Sequence, residues 1–207
     1  LDGTYEVRSY GCCGLESLTD RMGVTTSYTY DALGRQNVST RLGISSFQHL
    51  DSAGNATNTF RVGTDSTTQN QQRAVFDLAG RPTAETNALG GLTVKAYSKL
   101  GNGQSVTTTT NPDGGTIVET LFLDGQIASI TGTAATPTRY EYGVEQDGGV
   151  WRRYTKTIAL DSSGSDTSEW QKAYVDMLGR EYKTVFSAAS GAPYRETSFN
   201  AKGQRIK

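Results

Sequence analysis

The chain has 207 residues, with 20 Lys and Arg against 21 Asp and Glu, so its net charge is -1 and no block of like charge forms a nucleic-acid or anionic-membrane footprint. Hydrophobic residues make up 35%, mean hydropathy is -0.51 and Gly numbers 24, which is too little core material for an ordinary globular domain and suits a sheet that is partly wet on both faces. Disorder is opposed by 11 Tyr and 6 Phe with low net charge, and no apolar run is long enough to cross a membrane as a helix.

Taken in order, Tyr5-Glu6-Val7 opens as a strand that runs into Gly11-Cys12-Cys13-Gly14. Two Cys define no disulfide framework, and neighbours in sequence bridge only through a strained eight-membered ring, so Cys12 and Cys13 read either as two half-buried thiols or as a vicinal disulfide. Two sulfurs and the lone His49 do not make a metal set, and His49 reads as a strand residue facing solvent. From 24 to 62 the pattern is strand, turn, strand, a loose turn at Leu42-Gly43, strand and turn. Between 92 and 97, Leu92, Val94 and Ala96 alternate with Thr93, Lys95 and Tyr97, which separates an apolar stripe from a polar one. Gln104 to Thr110 has β-propensity with little to bury, and Thr116 to Phe122 pairs with Gln126 to Ile130 across a short turn. Thr131 to Thr138 and Ser162 to Ser168 read as loops, and Arg139 to Glu145 and Val150 to Leu160 as longer strands. No window of ten residues holds a helical period.

One stretch recurs. Tyr30-Asp31-Ala32-Leu33-Gly34-Arg35 returns as Phe76-Asp77-Leu78-Ala79-Gly80-Arg81 and Val175-Asp176-Met177-Leu178-Gly179-Arg180. Weaker copies begin at Leu50-Asp51, Tyr97-Ser98 and Phe199-Asn200, and Phe122 to Gln126 reads as a copy one residue short. Second positions at 31, 51, 77, 98, 124, 176 and 200 leave one gap of 52, near whose middle Asp147-Gly148-Gly149 is the expected missing turn. A looser series of turns lies between, at Asp20 to Gly23, Gly63 to Asp65, Asn87 to Gly91, Asn111 to Gly115 and Ser190-Gly191. A turn roughly every ten residues is the rhythm of an antiparallel meander of repeated hairpins. In each main copy the Gly supplies a positive φ, the Asp accepts N–H groups of the turn, Tyr30 and Phe76 pack across strands, and Arg35, Arg81 and Arg180 pair with an aspartate of their own or an adjacent copy.

Tyr-Asp-x-x-Gly-Arg at a period of twenty-odd residues, with Asp/Asn-x-x-Gly-Gly turns between, resembles the YD-repeat or RHS-repeat family over essentially the whole chain. The resemblance implies a curved or spiralling sheet that is part of a large shell, as in bacterial RHS proteins, toxin-complex cocoons and teneurin-like barrels. It also implies a secreted or cell-surface setting, an enclosed polypeptide and contact through sheet edges with the parent chain or further copies. Residues 1–207 then form a single β-sheet segment of a larger chain, because Leu1 is not an initiator Met and both ends fall inside the repeat rhythm. The family's self-cleaving segment carries an Asp-Pro pattern, and none of Pro82, Pro112, Pro137 and Pro193 follows Asp.

No nucleophile, base or phosphate-loop constellation is present, so no catalytic residue, cofactor or metal is expected. The alternative to a scaffold is a surface that binds glycans or a partner, built from Tyr140, Tyr142, Trp151, Tyr154 and Trp170.

Overall fold

The structure is a computed structural model that describes residues 5–187, 193–200 and 202–206. It is all-β: seventeen strands form an antiparallel sheet, with no helix among the described residues. Contacts cluster the chain into two units, Leu1–Lys95 and Ala96–Lys207.

The first unit holds β1 (Val7–Tyr10), β2 (Leu15–Thr19), β3 (Thr25–Tyr30), β4 (Gln36–Arg41), β5 (Ile44–Leu50), β6 (Ala56–Val62), β7 (Thr68–Phe76), β8 (Pro82–Asn87) and the first half of β9 (Leu92–Lys99). The second holds the remainder of β9 with β10 (Ser105–Thr110), β11 (Thr116–Leu121), β12 (Ile127–Thr131), β13 (Thr138–Asp147), β14 (Val150–Leu160), β15 (Asp166–Val175), β16 (Glu181–Phe186) and β17 (Tyr194–Glu196). Within each unit every strand pairs with the next in sequence. The meander read from the turn rhythm is therefore the observed topology, and within each unit successive turns fall at opposite ends of the strands.

Several boundaries differ from the sequence reading. Strand β1 begins at Val7, after Tyr5 and Glu6. The segment read as a loop from Ser162 ends at Ser165, because Asp166, Thr167 and Ser168 already belong to β15. The 52-residue gap between main turns carries the longest strands, β14 with 11 residues and β13 and β15 with 10 each. Strands β13 and β14 meet at Gly148-Gly149, both at positive φ, where the twist of a two-residue turn matches that of the flanking strands. The turn expected at Ser190-Gly191 and position 201 of the last copy lie outside the described residues.

Little is buried. Ala74, Ala128, Ile158, Tyr174 and Thr184 are the buried side chains of the described residues. In β9 the alternation is present, but Leu92 and Val94 are 48% and 41% exposed while Thr93, Lys95 and Tyr97 are half-buried. Long polar side chains lie down along the sheet and cover one another, whereas short aliphatic ones stand up with no second layer against them. Phe47 and Phe60, cross-strand partners on β5 and β6, stack with ring centroids 4.7 Å apart, and exposed His49 meets Phe60 edge-on at 5.4 Å.

Candidate functional site

The repeated residues build one device. In the turn after β3, Asp31 N–H donates to the Arg35 carbonyl at 2.8 Å and Gly34 N–H to the Asp31 carbonyl at 3.0 Å. This is a three-residue loop with Gly34 at φ +73, and the ladder slips between Thr29 and Tyr30 to accommodate it. Asp31 Oδ1 accepts the N–H groups of Leu33 and Arg35, and its Oδ2 accepts Arg35 Nε at 2.8 Å. The turns at Asp77 and Asp176 repeat every one of these bonds, with Arg81 and Arg180 as partners. The arginines therefore pair with the aspartate of their own turn. Those N–H groups and guanidiniums hold all three carboxyls below the usual carboxylate range. Arg35 Nη1 also donates to the Asp51 carbonyl at 2.7 Å and so fastens its turn to the next one on the same rim.

Two turns of the looser series, and the turn after β14, have the same geometry. Asp20, Asn87 and Asp161 each accept two turn N–H groups as Asp31 does. Two copies need correction. The copy read as beginning at Tyr97-Ser98 has its turn from Leu100 to Gln104, with Gly103 at positive φ, so Gln104 stands where Arg35 does. The copy at Phe122 to Gln126 has full length. In these turns, and in those starting at Gly63 and Asn111, the acceptor has moved to the third position: Asp65, Asn102, Asp113 and Asp124 each bond the last N–H. An Asp or Asn directly before the turn's positive-φ residue, seen in Asn102-Gly103, Asp113-Gly114 and Asp124-Gly125, is the signal that marks this variant.

Tyr30 passes its hydroxyl to the Leu15 carbonyl at 2.9 Å, and Phe76 is half-buried opposite Pro82. Cys12 and Cys13 are free thiols, exposed rather than half-buried, because their turn projects past the end of the β1–β2 hairpin.

In the second unit the register divides the aromatic candidates. Tyr154 and Trp170 share one sheet face with Glu141, Glu145, Asp147, Lys156, Lys172 and Tyr174, whereas Tyr140, Tyr142 and Trp151 share the opposite face with Val144. They form no single platform. Tyr142 donates to the Ile127 carbonyl at 3.0 Å, Lys156 lies over the Trp170 ring at 5.3 Å and Lys172 over the Tyr154 ring at 4.4 Å.

That first face carries a ladder of ions that sequence reading missed. Lys172 Nζ donates to both Glu145 oxygens at 3.0 Å, and Tyr174 Oη donates to Glu145. Lys183 Nζ and Tyr182 Oη donate to Asp147 at 2.5 and 2.7 Å. Arg139 bridges Glu141 and Asp166. Tyr174 holds Glu145 low with help from Lys172, and Lys183 does the same for Asp147 with help from Tyr182. Burial first, and then Asp147, pushes the Tyr182 hydroxyl up to about 12. The available signal was acids at 141, 145 and 147, all of one parity on one long strand, with Lys156, Lys172 and Lys183 on the three strands that follow it. No group of three or more His, Cys, Asp or Glu among the described residues is arranged to hold a metal.

No family model matches the sequence, and no curated protein matches it either. Solved structures do. TcdB2-TccC3 without its hypervariable C-terminal region superposes with TM-score 0.58 at 15% identity, covering 88% of this chain and 10% of that one. TcdB2-TccC3-Cdc42 gives TM-score 0.57 at 15% identity over the same shares, 88% and 10%. The Photorhabdus luminescens Tc holotoxin pore follows with TM-score 0.44 at 14% identity, covering 88% of this chain and 13% of that one. The chain thus spans about a tenth of the TcdB2-TccC3 chains and shares the fold of that stretch.

Proposed function

We propose that this chain is a wall segment of a YD-repeat shell protein, a scaffold secreted or displayed at a cell surface and built to enclose a polypeptide. The observation that carries the reading is the recurring rim turn: the same bonds close hairpin after hairpin, so the sheet extends without a core of its own and leaves both faces open. The shared fold with TcdB2-TccC3, whose chains are about ten times longer, supports a segment role. The reading assigns no reaction to the chain. Strands β1 and β17 are exposed along their whole length and, among the described residues, each pairs along one edge only, which suits pairing of the other edge with the parent chain or another copy.

Electron microscopy of the native particle that contains this chain tests the reading. A sheet wound round a hollow interior with density inside is the expected result. An open filament of stacked copies overturns enclosure and leaves a surface building material.

A further inference from the structure

We propose that Cys12 and Cys13 form a dithiol site that reacts as one unit with a small-molecule disulfide, ending as a disulfide between the two neighbours. The inference is independent of the shell reading. The two Sγ atoms lie 2.9 Å apart, closer than two sulfurs that ignore each other, and both residues are exposed. Exposure lets an external disulfide reach either sulfur. Proximity lets the second thiol reach the first before solvent exchange matters.

The surrounding backbone is built to hold this pair. Gly11 N–H donates to the Gly14 carbonyl at 2.9 Å, which folds the four residues into a tight turn. A Cβ on Gly11 would stand 1.8 Å from Glu16 Oε1, and one on Gly14, at φ +143, 2.8 Å from Tyr30 Oη. Gly14 is required where it stands, whereas a Cβ on Gly11 would meet only the movable end of the exposed Glu16 side chain; the two glycines leave the Cys-Cys unit between backbone positions able to absorb the change of a ring closure. The eight-membered ring is strained, so the closed form is readily reduced and the site cycles rather than locking. The neighbouring Cys12 sulfur, followed by burial and the Glu16 charge, holds the Cys13 thiol protonated to higher pH than usual, so reaction quickens as pH rises.

The step balances. One cysteine thiolate attacks a sulfur of the external disulfide and expels one small thiolate, giving a mixed disulfide. The other cysteine attacks its neighbour's sulfur in that mixed disulfide and expels the second small thiolate. Two cysteine S–H bonds are lost, one S–S bond forms, and the external disulfide leaves reduced as two thiols that carry the protons.

The test exposes the whole chain to oxidised glutathione and reads intact and peptide masses. The expected wild-type product has lost two hydrogens within the peptide that holds both cysteines, carries no glutathione, and returns on mild thiol treatment. Cys13→Ser and Cys12→Ser are each expected to retain one glutathione, with adduct about tenfold more abundant than in wild type. Two glutathiones on the wild-type chain, disulfide-linked dimers as the main product, or no reaction would each overturn the proposal. The wild-type product decides alone if a variant does not fold.

Discussion

At Gly34 a Cβ would meet nothing within 4 Å, so the cost of a side chain there comes from φ +73 alone. Gly34→Ala is expected to destabilise the chain by about 1 kcal/mol in denaturant titration. Arg81→Ala removes an ion pair whose Arg side chain is 52% exposed and should cost less, about 0.5 kcal/mol. The ranking is the check: a larger loss for Arg81→Ala than for Gly34→Ala would mean that the ion pair, and not the backbone, holds the turn. Leu42 makes the complementary case. It adopts φ +50 beside Gly43 at +76 in a two-residue turn, 71% exposed, where a branched side chain pays a steric penalty. Leu42→Asn keeps the turn and is expected to raise stability by about 0.5 to 1 kcal/mol, seen as a higher denaturation midpoint.

Along the strands, β13 to β16 are tied by the ladder of Glu145, Asp147, Lys172, Lys183 and the two tyrosines. Both acids have pKa values below normal in the folded chain, so their contribution is fully present above the ordinary carboxylate range near pH 4 and fades as pH falls through the lower folded values. Tyr182 is raised, so the sign reverses: its contribution is present below about pH 10 and is lost as pH climbs towards about 12. Denaturation midpoints measured across pH should therefore fall at both ends. Lys183→Met should flatten the acid side, because Asp147 then loses its principal partner; an unchanged acid limb would remove the ladder from the account. Tyr182→Phe should flatten the alkaline side in the same way.

For the whole molecule the exposed edge matters most. Val7 and Tyr10 on β1 are exposed, and unpaired strand edges recruit further strands. The isolated chain is expected to associate with rising concentration in size-exclusion chromatography, and Val7→Lys with Tyr10→Lys should shift it towards monomer. A concentration-independent monomer of the isolated chain would move the pairing surface away from β1.

The sequence by itself determined the rhythm. Asp-x-x-Gly-Arg is a local instruction: acceptor, positive φ and donor all lie within five residues, so the turns at Asp31, Asp77 and Asp176 were legible, and with them the all-β meander. Legibility failed where the same bond is made from another position, as in Leu100 to Gln104 and Phe122 to Gln126, because an acceptor at the third position satisfies the last N–H of the turn without the Asp-x-x-Gly spacing. Only the tertiary structure decided which stripe is sheltered. Period-two alternation names two faces without saying which one neighbouring side chains will cover, and here Lys95 is half-buried while Leu92 stands out. It also decided that Tyr154 and Trp170 part company with Tyr140, Tyr142 and Trp151: alternation along one strand separates Trp151 from Tyr154, but which face of β13 or β15 each joins follows from the register between strands.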